Sequence, residues 1–264
     1  MENIIIELND LFDYFTVFLR GFTIQNIRYF LFSGVAFVVL ITWGKRKYGH
    51  LKIWQKPWRR VQIKHELKWS ILSSVVLSFV YLAIAALKYN GYTQIYLSIE
   101  HKGWPYLFFS FVLIIFWHDT WFYWIHRFMH LKPVLKRVHH VHHKSLDPSP
   151  LAAFSFHPLE TILEAGFVLI AVFVVPLHPL ALFIVNFFQL SMNVIGHSGH
   201  EFFPKWFYKY SLFRWLNSST HHHMHHRHFN CNYGLYFNFW DRLLNTNHPR
   251  YFNTFKAIKE RSKK

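Results

Sequence analysis

HDTWFYWIHRFMHLKPVLKRVHHVHH, from His118 to His143, and its echo THHHMHH, from Thr220 to His226, decide how this chain is read. The first contains an H-x-x-x-H pair, His126 and His130, and an H-x-x-H-H triplet, His139, His142 and His143. The second contains another H-x-x-H-H triplet, His222, His225 and His226. On a helix, residues three and four apart share a face. Each triplet is therefore expected to converge its imidazoles on one point. Eight imidazoles are too many for one metal ion and suit two.

Outward from these clusters, the chain is strongly apolar. Of its 264 residues 52% are hydrophobic and 21% aromatic, gathered into blocks near membrane-spanning length, which predicts an all-α, integral membrane protein. The apolar segments run at about 27–43, 69–87, 104–125, 162–177 and 179–195, the last two a short hairpin split by Pro176-Leu177-His178-Pro179. That makes four to five segments, with a His-rich helical cap. Residues 1–26 read as an acidic, amphipathic lead-in without the basic start of a cleavable signal peptide. The natural division falls between an N-terminal membrane region, 1–103, and a catalytic region, 104–264.

The net charge of +16 would suggest nucleic acid in a soluble domain. Here the basic residues lie between and after the apolar blocks, nine of them in residues 45–68. That distribution argues against nucleic acid and fits the excess of Lys and Arg on cytoplasmic loops. Counting segments from that loop puts every His cluster on the cytoplasmic face. The one cysteine, Cys231, excludes an internal disulfide.

Neutral imidazole ligates iron, zinc, copper and nickel. His157, His197 and His200 are further candidate ligands. Asp119 lies on the same helical stripe as Tyr123, His126 and His130, and is expected to support the site without ligating. Soluble diiron bundles use Glu and E-x-x-H motifs, and E-x-x-H is absent here. Isolated histidines such as His50, His65, His101, His178 and His248 read as surface residues. His140, His221, His223 and His228 fall off the ligand spacing, and Glu160 and Glu164 read as acids favouring a helix N-terminus. A metal transporter or metal-storing membrane protein is the competing class, but transport sites favour the bilayer midplane, whereas these clusters lie at its border.

The three motifs in this order, on a polytopic chain, resemble the fatty acid hydroxylase and sterol desaturase superfamily. The resemblance runs from about His118 to Tyr251 and includes SPLAAFSFHPLE, NVIGHSG and HHMHHRHFNCNYGLYFNFWDRLLNT. Its ending is most similar to the sterol C5-desaturases. The chain departs from those enzymes at Phe154-Ser155-Phe156-His157-Pro158 and at Glu160. The resemblance implies a non-haem diiron oxygenase with His126, His130, His139, His142, His143, His222, His225 and His226 as ligands, His197 as an additional one, and His157 and His200 as further candidates. It implies two iron ions, replaceable by zinc in isolated protein, and O2 as co-substrate. It also implies an electron donor of cytochrome b5, ferredoxin or flavodoxin type, and hydroxylation or desaturation of a fatty acyl, sterol-like or other isoprenoid lipid. The expected home is a bacterial inner membrane or the endoplasmic reticulum.

Overall fold

The computed structural model describes residues 11–261. Their architecture is all-helical. Helix α1 (Leu11–Tyr29) passes through a π-helical turn (Phe30–Gly34) into α2 (Val35–Ile41), and the short α3 (Trp43–Tyr48) follows. Next come α4 (Arg60–Tyr89) and α5 (Gly103–Met129), then α6 (Lys132–Val134), a π-helical turn (Leu135–His139) and α7 (His140–His143). The hairpin is α8 (Pro158–Val174) and α9 (Pro179–Gly196), and the chain closes with α10 (Ser219–His228), α11 (Phe239–Leu243) and α12 (Tyr251–Lys259).

Among the described residues, four helices are long and apolar enough to cross a membrane: Phe12–Ile41, Arg60–Tyr89, Gly103–Met129 and Pro179–Gly196. The protein is a multi-pass integral membrane protein. One boundary differs from the sequence reading. The described part of the expected lead-in, from Leu11 on, is one helix with the first apolar block. Its packing explains the continuity. Gly21 lets α1 close on α4, where a Cβ would meet the Tyr81 ring at 2.8 Å. Residues 1–10 lie outside the described residues.

Helix α4 carries a buried serine stripe: Ser70, Ser73, Ser74 and Ser78. Small polar residues let membrane helices approach closely and supply hydrogen bonds between them. Ser70 Oγ donates to Leu151 O (2.9 Å) and Ser73 Oγ to Phe156 O (3.2 Å), while Tyr29 OH reaches Leu151 O (2.8 Å) from α1. Buried Glu66 accepts from Gln62 Nε2 (2.8 Å) and from the Ser149 hydroxyl. Residues 149–156 are thereby clamped across α4, where they form one wall of the site below.

Helix α5 is tied to α8 by two indoles. Trp117 Nε1 donates to Phe167 O (3.1 Å) and Trp121 Nε1 to Leu163 O (2.9 Å). Gly166 is what permits this, because a Cβ there would lie 2.5 Å from the Trp121 ring. Both hairpin helices start on a His-Pro pair. His157 Nδ1 accepts from Leu159 N (3.2 Å), His178 Nδ1 accepts from Leu180 N (3.1 Å), and each proline opens its helix, where its missing N–H costs nothing. Around these contacts runs an apolar core that includes Ile114, Phe167, Val172, Leu177, Val185 and Tyr236.

Candidate metal centre

Two groups of imidazoles converge where α5, α7, α9 and α10 meet. His126, His130, His139, His143 and His225 form the first; His142, His197, His222 and His226 form the second. Within each, one ring nitrogen per residue lies within 4.8 Å of all the others. In the first group, five Nε2 pairs are 3.1 Å apart, among them His126–His139, His143–His130 and His225–His143. In the second, the pairs involving His142, His197, His222 and His226 span 2.9 to 3.2 Å. The groups adjoin, since the rings of His143 and His226 are 4.9 Å apart.

The opposite edges of these rings show what the nitrogens are for. His126 Nδ1 donates to Tyr233 O (2.8 Å), His225 Nδ1 to Cys231 O (2.7 Å), His197 Nδ1 to Asn193 O (2.8 Å) and His142 Nδ1 to Ser155 O (3.3 Å). His139 Nδ1 is 2.7 Å from Glu160 Oε1. A carbonyl oxygen can only accept, so the proton sits on Nδ1 and Nε2 presents a lone pair. Lone pairs facing one another at about 3 Å repel unless a cation lies between them. Two nitrogens each about 2.1 Å from one ion, at right angles, are themselves about 3.0 Å apart. The spacing fits ligation and does not fit mutual hydrogen bonding.

Electrostatics agree. Burial, and then the neighbouring imidazoles, push His139, His142, His143, His222, His225 and His226 well below the usual histidine range. Burial lowers His130 to about 2 and His197 to about 4. All are neutral near pH 7, as imidazole ligands must be.

The triplets do not converge as the helical spacing suggests. His139 and His143 face the first group while His142 between them faces the second; His222 and His226 face the second while His225 faces the first. Residues four apart differ by about 40° around a helix, but adjacent ones by about 100°. The i, i+4 pair therefore stays together, and the middle histidine turns to the neighbouring group. Each triplet serves both groups, two rings to one and one to the other.

The remaining candidates lie elsewhere. His157 caps α8 and packs on Trp69. His200 donates from Nδ1 to Ser198 O (2.8 Å) and stacks on Phe202. Neither belongs to a group. Asp119 touches no grouped imidazole: its Oδ1 accepts from Tyr236 N (2.8 Å) and Phe237 N (3.2 Å). It fastens the 231–238 loop, whose Cys231 and Tyr233 carbonyls hold His225 and His126. Asp241 fastens the same loop, accepting from Tyr233 N (2.9 Å) and Gly234 N (2.8 Å). The off-spacing rings brace α10: His223 Nε2 meets Asp147 Oδ1 (3.0 Å) and His221 Nε2 meets Asn247 Oδ1 (3.2 Å).

Glu160 is the residue that sequence reasoning missed. Placed near a helix start, it looked like a favourable first-turn acid, yet it is fully buried against His139. The available signal was an ionisable side chain inside an apolar segment, which needs a partner.

A cavity of about 700 Å³ lies beside the centre, between α1, α4, α8 and α9. At one end it is lined by Phe156, whose ring is 4.9 Å from that of His142, and by Asn193, whose carbonyl holds His197. At the other it reaches Lys88, Leu97 and Pro179. Pro179 and Asn193 are about 21 Å apart along α9 at about 1.5 Å per residue.

Paired, carboxylate-free imidazole groups at the end of long apolar helices define a class of histidine-rich, two-metal membrane proteins. The chain belongs to the fatty acid hydroxylase family, which it matches over residues 111–246, and the two groups match the two-iron pattern typical of that family. It is 32% identical over 184 residues to a Delta(7)-sterol 5(6)-desaturase of Gibberella zeae, covering 68% of this chain and 55% of that protein. It is 33% identical over 212 residues to the lathosterol oxidase of Mus musculus, covering 78% and 68%. The lathosterol oxidase of Homo sapiens is 34% identical over 190 residues, covering 69% and 60%. The matches thus span a little over half to about two thirds of these relatives. No solved structure matches.

Proposed function

We propose that this protein is a membrane-bound diiron oxygenase that hydroxylates or desaturates an unactivated C–H position of a lipid. The observation that carries this reading is the contact between the centre and the cavity: Phe156 and Asn193 belong to the wall of both. His126, His130, His139, His143 and His225 would hold one iron; His142, His197, His222 and His226 would hold the other. With O2, two electrons from a redox partner and two protons from water, bound iron would supply the oxidant that takes hydrogen from a C–H bond, giving an alcohol and water, or a double bond and two waters.

The chain's own residues prepare that chemistry. The Tyr233, Cys231, Asn193 and Ser155 carbonyls and the Glu160 carboxylate fix the tautomer and orientation of His126, His225, His197, His142 and His139. Rings locked in this way suit a resident centre rather than a transported cargo. Phe154, Phe156 and Leu190 give the cavity an apolar end beside the metals, which excludes water from the reacting carbon. The sterol names of the relatives favour a ring lipid or an acyl lipid of similar length. The nine basic residues of 45–68 favour a cytoplasmic centre, reached there by the electron donor.

Metal analysis of the purified protein, with lipid profiling of cells that contain or lack it, tests the reading. Two metal ions per chain and a lipid gaining one oxygen, or losing two hydrogens, are expected. One ion or fewer in folded protein, or an unchanged lipid profile with the donor present, overturns it.

A further inference from the structure

The ring of Tyr233, in the loop after α10, leans on the first imidazole group. Its centroid lies 5.2 Å from that of His130, 5.6 Å from His225 and 5.8 Å from His126. Behind it stands Tyr123 of α5 at 6.1 Å, and behind Tyr123 the indoles of Trp240 at 6.1 Å and Trp124 at 5.6 Å. The two indoles are 5.5 Å apart. Tyr123 is fully buried, whereas Trp124 is 46% exposed. Phenol and indole are among the side chains that give up one electron most readily. These four rings therefore form an oxidisable row from the centre to the surface.

A phenol gives up its electron easily only when its proton can leave as well. Tyr123 OH is 3.0 Å from Thr246 Oγ1, and Thr246 Oγ1 donates its one hydrogen to Asp241 Oδ1 at 2.7 Å. Tyr123 OH is therefore the donor in the first bond. The order Tyr123, Thr246, Asp241 makes a proton path with both steps inside hydrogen-bond reach.

We infer that Tyr123 is a redox relay that drains the oxidant of the centre when no C–H bond lies within reach. This rests on the reading of the centre as an oxygenase. In the step, Tyr123 loses one electron, which passes through the Tyr233 ring to the oxidant that iron and O2 would supply. The Tyr123 O–H bond breaks and its proton goes to Thr246 Oγ1, as the proton of Thr246 goes to the Asp241 carboxylate. The products are a neutral Tyr123 radical, a protonated Asp241 and an oxidant reduced by one electron. Trp240 and Trp124 extend the vacancy toward the surface, where a soluble reductant of the thiol or ascorbate class refills it. The row does not carry the redox partner's electrons inward by this chemistry, because a protein that reduces iron is too weak an oxidant to take an electron from phenol or indole. What the relay spares is the nine grouped imidazoles, which stand closest to an unused oxidant.

The test uses the full chain, delipidated and loaded with iron, in a surfactant whose chains carry fluorine in place of hydrogen. The cavity then holds no oxidisable chain. Reduced protein is mixed with O2 and frozen for electron paramagnetic resonance, and later samples are digested for mass spectrometry. An organic radical is expected whose spectrum changes with ring-deuterated tyrosine and not with deuterated tryptophan. Tyr123→Phe should remove most of it. Thr246→Val keeps the phenol but cuts the proton path, and should also remove most of it, which a role in packing alone would not produce. In both variants oxygen added to His126, His130 and His225 should rise, and that on Trp124 and Trp240 should fall, at unchanged metal content. Should Tyr123→Phe fail to fold, Thr246→Val decides. A radical that survives these substitutions, or no organic radical in a chain that holds two irons and consumes O2, overturns the relay alone. A chain without the metal pair, or one that consumes no O2 when reduced, refutes the oxygenase reading and the relay with it.

Discussion

Single side chains at the centre have separable consequences. His142 and His143 are neighbours in sequence but belong to different imidazole groups, while His140, one turn of chain away, is exposed. His142→Ala and His143→Ala should each lower metal content below two ions per chain and abolish lipid oxidation. His140→Ala should leave both nearly intact; elemental analysis beside a turnover assay checks all three. Glu160 acts one step further out, by accepting from His139 Nδ1 at 2.7 Å. Glu160→Leu leaves that buried N–H without a partner and should weaken metal retention against a chelator by about 10–100-fold, the scale for losing such a support. At this scale the histidine motifs were legible because helical spacing is a local property. Glu160 was not legible: its partner lies 21 residues away, on another helix. The Cys231 and Tyr233 carbonyls were even less so, since any residue type carries a carbonyl.

Elements show why the partition between the two groups escaped the sequence. Spacing established that each triplet occupies a helical stretch, but not that the turn leading into α7 and α10 would each give a pair to one group and the middle ring to the other. That depends on tertiary approach, as do the caps at His157 and His178, although the repeated His-Pro before an apolar run was a usable signal. Four of the five apolar blocks were legible as spans, and the short 162–177 arm is a helix that is not among the described spanning ones; the continuity of α1 was not legible, because its Gly21 contact with Tyr81 joins residues sixty apart. The 231–238 loop is closely constrained, fastened by Asp119 and Asp241. Gly234 is packed so closely that a Cβ would lie 3.0 Å from both Asn217 Nδ2 and Asp241 Oδ2, and closer still to Phe237 O. Gly234→Ala must therefore displace the loop that holds His126 and His225. We expect a lower melting temperature and reduced metal content together, measured by thermal unfolding and elemental analysis.

For the molecule as a whole, the buried neutral histidines make stability depend on pH. In the unfolded chain their pKa is about 6.5; in the fold burial holds them lower, with His197 and His200 at about 4. Below pH 6.5 the unfolded state therefore binds more protons, so stability is present above that pH and falls as pH drops. Metal-free protein should lose stability progressively from about pH 6.5 to about pH 4, and denaturant midpoints measured across that range check this. A midpoint that rises on acidification would contradict it. The distribution of parts along the chain has one more consequence. Every grouped imidazole comes from residues 126–226, whereas α1 and α4 supply one side of the cavity without contributing a ring. One side of the cavity thus comes from a stretch of the polypeptide that holds no grouped imidazole, while α8 and α9 of the other stretch form the opposite side. Such a division lets one stretch diverge while the other stays fixed. A chimera carrying a relative's residues up to the 90–103 connection should keep two metal ions and shift oxidation toward the donor's lipid, so mass-spectrometric analysis of its products would reveal where substrate identity is inherited.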